Sequence, residues 1–209
     1  MKEKKALVVV NLQSDFCSGG TVEVPGANEI IPVVNELLKK FNLIIFSMDW
    51  HPHDYKLFTS YYFPHNDIFR LFSINKDNNF NLLWPDHCIE NNPGADIHPD
   101  VKFENINGKF YFFKKGINKK AESYSAFYNK FESQSTGLNK FLKKKKITKV
   151  FICGLLLDYD VLFTAIDAKN LGYDTYVIMD AVKPLFFNSS DIKDELIKNN
   201  ISIINSSEI

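Results

Sequence analysis

Two histidines and a carboxylate stand at spacings that suit a metal ion. Asp49 and His51 are two residues apart directly after an apolar segment, so both side chains can point the same way at a strand end. His87 lies farther along, in Trp-Pro-Asp-His-Cys, and can supply a third ligand, with His53 as the rival. Two imidazoles and one carboxylate with open positions suit zinc, iron or manganese. The alternative, that these are loop histidines packed among aromatic residues, carries equal weight from the residues alone.

A lysine and an acidic residue follow two further apolar segments. Lys115 precedes Gly116, where an ammonium can steady an anion or shift the pKa of a neighbour, although an ordinary exposed lysine is the simpler interpretation. The segment 154–160 passes from a predicted strand into a predicted helix, and backbone N–H groups at a helix start can form an oxyanion hole. Asp160 at that position is also a common stabilising choice.

The hydrophobic pattern predicts the scaffold that must position these residues. Near-continuous apolar runs predict six strands, at residues 6–12, 43–48, 110–113, 150–154, 175–179 and 201–204. Amphipathic patterns predict four helices, at residues 28–40, 135–146, 158–171 and 191–198. Alternating strands and helices indicate an α/β fold, with a doubly wound, mostly parallel six-stranded sheet and helices on both faces. Ligands of such sheets bind at the carboxyl ends of the strands.

Composition narrows the class of protein. The chain has 209 residues, with 25 Lys and Arg against 25 Asp and Glu, so its formal net charge is zero. That balance argues against nucleic acid or a membrane surface as the main partner. We expect a single domain over residues 1–209. No apolar run is long enough for a transmembrane helix or a signal peptide, so the expected location is the cytoplasm.

Three features have simpler interpretations. Cys17, Cys88 and Cys153 are odd in number and irregularly spaced, so they predict no disulfide framework. Residues 68–80 interrupt an irregular but aromatic-rich stretch and are predicted to be a surface insertion. The run Lys143–Lys146 ends a predicted helix, where cations suit the helix dipole, and is interpreted as a solvated face.

The chemistry-bearing segments occur in the order seen in nicotinamidases, the nicotinamidase and pyrazinamidase group of the isochorismatase-like hydrolases. The sequence resembles this family over nearly its whole length, and the resemblance implies the strand order 3-2-1-4-5-6. The matching segments are Asn11-x-Gln13-x-Asp15-Phe16, Asp49-Trp50-His51-Pro52, Leu83-Trp84-Pro85-Asp86-His87-Cys88, Lys115-Gly116, Tyr124-Ser125-Ala126-Phe127, and Leu157-Asp158-Tyr159-Asp160-Val161 with Thr164-Ala165.

The resemblance implies an activity and a cofactor. The family hydrolyses nicotinamide to nicotinate and ammonia in NAD salvage, with an Asp base, a Lys, and a Cys nucleophile that forms a thioester. It implies one divalent ion on Asp49, His51 and His87, with zinc favoured and iron or manganese as alternatives. Nicotinamide is the expected partner, neither nucleic acid nor a membrane is expected, and a homo-oligomer is left open.

The resemblance also assigns the remaining site residues. Lys115 matches the family's lysine, and Phe16 and Trp84 match the aromatic residues that sandwich the ring, with Tyr124 as a further substrate-binding residue. The backbone N–H groups of Leu156 and Asp160 would form the oxyanion hole. A cis peptide between Leu155 and Leu156 is expected, because the family has one at that step.

Two positions depart from the family. Its general-base Asp falls at Asn11, and its nucleophilic Cys falls at Asp160. An amide cannot accept a proton at neutral pH, and a carboxylate is a poor nucleophile towards an amide. We therefore expect a nicotinamidase-like chain whose covalent chemistry is disabled, with an ionised Asp160 salt-bridged to Lys115.

Two other functions remain open. The first is an isochorismatase-like hydrolase that cleaves a vinyl ether by protonation, with Asp160 as the acid. The second is a non-catalytic binding protein that uses the same pocket.

Overall fold

The computed structural model describes residues 4–64, 70–73, 80–128 and 134–209. Eight strands and five α-helices are described in this part of the chain. The strands are β1 (Lys5–Val10), β2 (Leu43–Asp49), β3 (Arg70–Ser73), β4 (Phe80–Leu83), β5 (Lys109–Lys115), β6 (Lys149–Leu155), β7 (Asp174–Lys183) and β8 (Ser202–Ile204). The helices are α1 (Ile31–Leu38), α2 (Thr59–Tyr62), α3 (Leu138–Lys144), α4 (Leu162–Asn170) and α5 (Ser189–Lys198).

Six of the strands form one sheet in the order β5-β2-β1-β6-β7-β8. Every neighbouring pair in it is parallel, and Leu7 of β1 lies opposite Ile44 of β2 and Phe151 of β6. Counted along the chain without the short β3–β4 pair, this order is 3-2-1-4-5-6, so the predicted topology is confirmed. Parallel strands place all their carboxyl ends at one edge, which is where the predicted site residues follow them.

Helices cover both faces of this sheet, as predicted. The β1 side chains alternate between two buried clusters, with Leu7 and Val9 in one and Ala6, Val8 and Val10 in the other. The first cluster also contains Val34, Leu37 and Leu38 of α1. The second contains apolar residues of α3, α4 and α5, namely Leu138, Leu142, Ala165, Ala168, Ile192 and Leu196. Burial on both faces explains why β1 is a continuous apolar run.

The predicted elements exist, but several helix starts differ from the sequence pattern. Residues 27–30 form a 3-10 turn before α1, and α3 begins only after Gly137, whose φ of 89° breaks the helix. The predicted helix at 158–171 is a five-residue π turn, Leu157–Val161, followed by α4. A π turn at a helix start often marks a functional site.

The stretch between β2 and β5 contains α2 and the antiparallel pair β3–β4, together with short 3-10 turns. The predicted insertion at residues 68–80 lies largely outside the described residues and stays a prediction. Within the part of the chain that the structure covers, no helix is long and apolar enough to cross a membrane.

Candidate functional site

Three predicted ligands meet at the carboxyl edge of the sheet. Asp49 is the last residue of β2, His51 follows two residues later, and His87 comes from the loop after β4. One ligand atom from each lies within 4.8 Å of the others, and all three residues are buried. His53 is exposed, so it does not join this group. The spacing of the three side chains is that of a site able to hold one ion.

Hydrogen bonds orient both imidazoles for metal binding. Nδ1 of His51 lies 3.0 Å from the Gly116 carbonyl oxygen, and Nδ1 of His87 lies 2.7 Å from that of Pro85. Each ring therefore donates through Nδ1 and keeps Nε2 as the basic nitrogen. Burial lowers the pKa of His51 to about 3 and also lowers the pKa of His87, so both rings are neutral at pH 7. Neutral imidazoles with a carboxylate fit a divalent ion.

Gly116 lets the chain pass close to His51. Its φ is 69°, and a Cβ added there would lie 2.3 Å from Cε1 of His51. Tyr55 packs on the other side of the imidazole, with ring centroids 4.2 Å apart and planes inclined by 21°. The ring is therefore held between a backbone that must be glycine and a stacked aromatic side chain.

Gln13 positions the end of β2 at Asp49. In the sequence it was noted only as part of the Asn11-x-Gln13 motif. Its side-chain oxygen accepts the Asp49 N–H at 2.8 Å, and its side-chain nitrogen donates to the Asp49 and Ala95 carbonyl oxygens at 2.7 and 2.8 Å. One buried amide thus holds the end of β2 against the loop around Ala95. The two-residue spacing from Asn11 in Asn-x-Gln was the available signal.

Lys115 lies at the centre of the other half of the site. Its Nζ donates to Oδ1 of Asp49 at 2.6 Å, to Oδ1 of Asp160 at 2.5 Å and to the Ser123 carbonyl oxygen at 2.9 Å. All three ammonium protons are used, and the residue is almost fully buried. Burial favours the neutral amine, but the Asp160 and Asp49 carboxylates outweigh it and raise the pKa of Lys115. The lysine is therefore a fixed cation and not a base.

Asn11 joins the two halves. It follows β1 with a φ of 49°, a left-handed conformation that Asn tolerates better than most residues. Its Nδ2 donates to Oδ2 of Asp49 at 2.8 Å. The Asp49 carboxylate thus accepts from Asn11 on one oxygen and from Lys115 on the other. An amide here supplies a hydrogen-bond donor but cannot take up a proton.

Asp160 lies within the π turn, buried and bonded to Lys115, as the predicted salt bridge requires. The expected ionisation of this carboxyl stays a prediction. Burial raises the pKa of Asp160 to about 7, and the Asp49 charge adds to the rise while Lys115 opposes it. Burial is therefore the main cause of the raised pKa, and Lys115 counteracts it only in part. Burial would raise the pKa of Asp49 too, but the Lys115 ammonium outweighs it and lowers that pKa.

Aromatic side chains wall a small pocket over these groups. Phe16 and Trp84 both pack against His87, with ring centroids 5.3 and 5.7 Å from the imidazole. The pocket wall also includes Tyr124 and Leu156, together with Tyr55, Glu122 and Ser123, which the sequence did not single out. The space between these side chains admits little more than one water molecule. A pyridine ring can enter only after wall side chains move.

The turn that carries Asp160 is anchored from the opposite side. The buried carboxylate of Asp158 accepts the N–H groups of Leu185, Phe186 and Phe187 at 2.9, 2.6 and 3.1 Å. The expected cis peptide before Leu156 is absent, because no described peptide bond is cis. The chain turns instead through the positive φ of 60° at Leu156, so that prediction was wrong. The N–H groups proposed as an oxyanion hole belong to this turn.

The three thiols do not replace a nucleophile at position 160. Cys17, Cys88 and Cys153 are all buried and unbridged. Burial raises the pKa of Cys17 to about 12 and raises that of the other two as well. A buried thiol that resists ionisation is a poor nucleophile. None of the three cysteines is in a disulfide, as the sequence predicted.

Comparisons with known proteins agree with the motifs. A family profile described as Isochorismatase domain matches residues 5–200. The nicotinamidase of Acinetobacter baylyi is 36% identical over 185 residues, which are 88% of this chain and 84% of that protein. The structure of an Acinetobacter baumanii nicotinamidase and pyrazinamidase has a TM-score of 0.89 at 31% identity, and the match covers 100% of this chain and 99% of that one. A Pyrococcus horikoshii pyrazinamidase in complex with zinc has a TM-score of 0.74 at 31% identity, covering 97% and 99%. The resemblance is confirmed.

Proposed function

The chain belongs to the isochorismatase family, and we propose that it is a nicotinamidase-like protein whose pocket keeps the metal and ring-binding parts but lacks the covalent chemistry. The observation that carries this proposal is the Lys115 network. Its ammonium bridges two carboxylates, Asp49 and Asp160, and an amide occupies position 11. By the resemblance, this site has a carboxylate in place of the family's thiol and an amide in place of its base.

The metal half supports a divalent ion, and we propose zinc. Two neutral imidazoles with free Nε2 atoms and one carboxylate match the donor set that zinc prefers. An ion bound there would supply a Lewis acid for a pyridine nitrogen or a water molecule. The zinc-bound pyrazinamidase from Pyrococcus horikoshii is a relative with the same fold.

The reaction half lacks a group that could start thioester formation. Asn11 cannot remove a proton, and Lys115 stays protonated because two carboxylates raise its pKa. Asp160 is held by Lys115 and would form a mixed anhydride, which is less stable than the amide it would replace. We therefore expect no measurable hydrolysis of nicotinamide by this chain.

Ammonia release tests this proposal. The chain, its Asn11→Asp and Asp160→Cys single variants, and the double variant are assayed with nicotinamide under the same conditions. We expect turnover in the double variant only, because base and nucleophile act as a unit and single replacements leave one of them missing. Turnover by the unaltered chain at a rate comparable to that of the double variant would contradict the proposal. Inactivity of all four proteins would favour a different chemistry or a binding role.

Calorimetric titration tests the ligand. We expect weak binding of nicotinamide that depends on the ion, with nicotinate weaker still because its carboxylate would meet that of Asp160. Binding is weak because the wall side chains must first open the pocket. Much tighter binding of nicotinate than of nicotinamide would show that Asp160 does not face the ligand.

One observation favours a second function. A buried carboxyl whose pKa is about 7 can hold and give up a proton near neutral pH, which is what cleavage of a vinyl ether by protonation requires. Isochorismate hydrolysis by the chain, abolished in Asp160→Asn, would establish this alternative over the disabled amidase.

A further inference from the structure

A groove crosses the sheet edge opposite the metal ligands, at the amino ends of β5, β2, β1 and β6. It has a volume of about 630 Å³ and is lined by five lysines, Lys4, Lys5, Lys109, Lys145 and Lys149. Three of these four neighbouring strands begin with a lysine, namely β5 with Lys109, β1 with Lys5 and β6 with Lys149. Positive charge is therefore concentrated at one edge of a chain whose formal net charge is zero.

The fold brings together two lysine runs that lie about 140 residues apart in the sequence. Lys5 of β1 is directly opposite Lys149 of β6, and the N–H groups of Thr148 and Lys149 both donate to the Lys4 carbonyl oxygen. Neighbouring strands are only about 4.8 Å apart, and like charges placed opposite each other destabilise a sheet. On the β7 side, Lys149 lies opposite Asp174, a residue of opposite charge. The only charged residue opposite Lys5 in the neighbouring described strands is Lys149.

Four lysines outside the groove have a carboxylate partner. Lys39, Lys119, Lys183 and Lys198 each form an ion pair with a nearby carboxylate. Among the residues that the structure describes, no carboxylate lies within 4 Å of the ammonium of Lys4, Lys5, Lys109 or Lys145. Lys4, Lys5, Lys109 and Lys145 thus lie at the rim without a carboxylate partner in the part of the chain that the structure describes.

Aromatic rings hold two of these cations in place. Lys5 Nζ lies 4.6 Å from the centroid of the Phe41 ring, and Lys145 Nζ lies 5.4 Å from that of Phe141. The floor between the lysines is apolar and includes Leu43, Ile147 and Phe151. Charges held at fixed positions around an apolar floor are suited to a ligand with anionic groups at one end and an apolar group at the other.

We propose that this groove binds a small phosphate-rich ligand with an apolar part, such as a nucleoside polyphosphate or a phosphorylated lipid headgroup. Ammonium groups bind phosphate oxygens as point charges, and several of them are needed for several phosphates. The apolar floor takes the base of a nucleotide or the first part of a lipid chain. The site is independent of the proposed function, because it lies at the opposite edge of the sheet.

This proposal revises the interpretation of the run Lys143–Lys146. Lys143 donates to the Leu171 carbonyl oxygen at 3.1 Å and lies 4.4 Å from the centroid of the Tyr173 ring, so it has a structural partner. Lys145 alone of the four lines the groove. The run is therefore not one uniform solvated face.

The test uses calorimetric titration at about 0.15 M salt, where screening removes weak surface attraction. The probes are ATP, inorganic tripolyphosphate, and phosphatidylcholine vesicles with and without phosphatidylinositol bisphosphate. The groove variant is K5Q/K145Q, and the matched control is K193Q/K198Q, which makes the same charge change on the exposed side of α5. We expect binding at least about tenfold weaker in the groove variant and within about twofold of the parent in the control.

Each result decides the matter. ATP binding stronger than tripolyphosphate binding supports a free nucleotide, and binding to the phosphoinositide vesicles alone supports the lipid headgroup. Removal of metal with a chelator should leave either interaction unchanged. Equal losses in the groove and control variants would show general charge attraction and overturn the proposal. Absence of binding to all three probes by the folded parent, checked by circular dichroism, would overturn it as well.

Discussion

The two halves of the site differ in how closely they follow the family. The metal half consists of Asp49, His51 and His87, which lie together, and their residue types are those expected from the sequence resemblance. The reaction half contains Lys115 with Asn11 and Asp160, and we proposed that two of these three types depart from the family. Both halves are equally buried and share Asp49 through Lys115. The difference therefore lies in the chemistry of the side chains and not in their placement.

The proposed exchange would conserve charge while removing reactivity. Under the proposal, a carboxylate is lost at position 11 and another is gained at position 160; Lys115 has two carboxylate partners, Asp49 and Asp160. A buried cation without them would carry a large desolvation cost. Under the proposal, the site would keep its electrostatic balance without the family's base and nucleophile.

The largest expected effect comes from removing the shared cation. In Lys115→Met, two buried carboxylates lose their only ammonium partner among the described residues, and we expect the free energy of unfolding to fall by about 3–5 kcal/mol at pH 7. Denaturant unfolding of chelator-treated protein measures this change in the free energy of unfolding. The K115M/D160N double variant is the control. It removes one of the two unpaired buried carboxylates, so it should recover part of the lost stability. A loss below about 1 kcal/mol would mean that Lys115 does not hold the two halves together.

The next effect separates the metal half from the reaction half. We expect His51→Ala and His87→Ala to lower metal affinity by at least about 100-fold, whereas Asp160→Asn should keep about one ion per chain. Metal content of protein purified without chelator, measured by mass spectrometry, is the readout. The exposed His53→Ala is the matched control and should retain the ion. Equal metal content in H51A and H53A would remove His51 from the site.

The sequence predicted the strands, their order and the set of converging residues, because apolar runs and motif order carry that information. It did not predict the raised pKa of Asp160, which is caused first by burial and is increased by the Asp49 carboxylate, at a short distance from the same ammonium. That distance follows from the β2–β5 register, in which Asp49 lies opposite Lys115. Tertiary contacts between loops also produce the stacking of Tyr55 on His51 and the hydrogen bonds between the Gln13 side chain and the Asp49 backbone. No local pattern encodes such contacts.

A smaller effect tests how the metal half is oriented. In Gly116→Ala, the new Cβ meets the His51 ring at 2.3 Å, so we expect a loss of stability and metal binding weakened by about tenfold. Gly137→Ala is the matched control, since its φ is 89° but nothing lies within 4 Å of the added Cβ. It should cost about 1 kcal/mol from backbone strain alone and leave metal binding unchanged. Unfolding and metal titration of both variants isolate the contact with His51.

The smallest expected effect is a pH dependence in the reaction half. Folding raises the pKa of Asp160 from 3.8 to about 7. Its contribution to stability is therefore fully present below pH 4 and is lost as the pH rises through 7. Asp160→Asn lacks this dependence, so the variant should gain stability relative to the parent as the pH rises from 4 to 8. Changes from His51 and His87 occur in both proteins and cancel in the difference. Denaturant unfolding of metal-free protein across this range provides the test, and a difference that is flat with pH would mean that Asp160 is ionised throughout, as the paired Lys115 alone would make it.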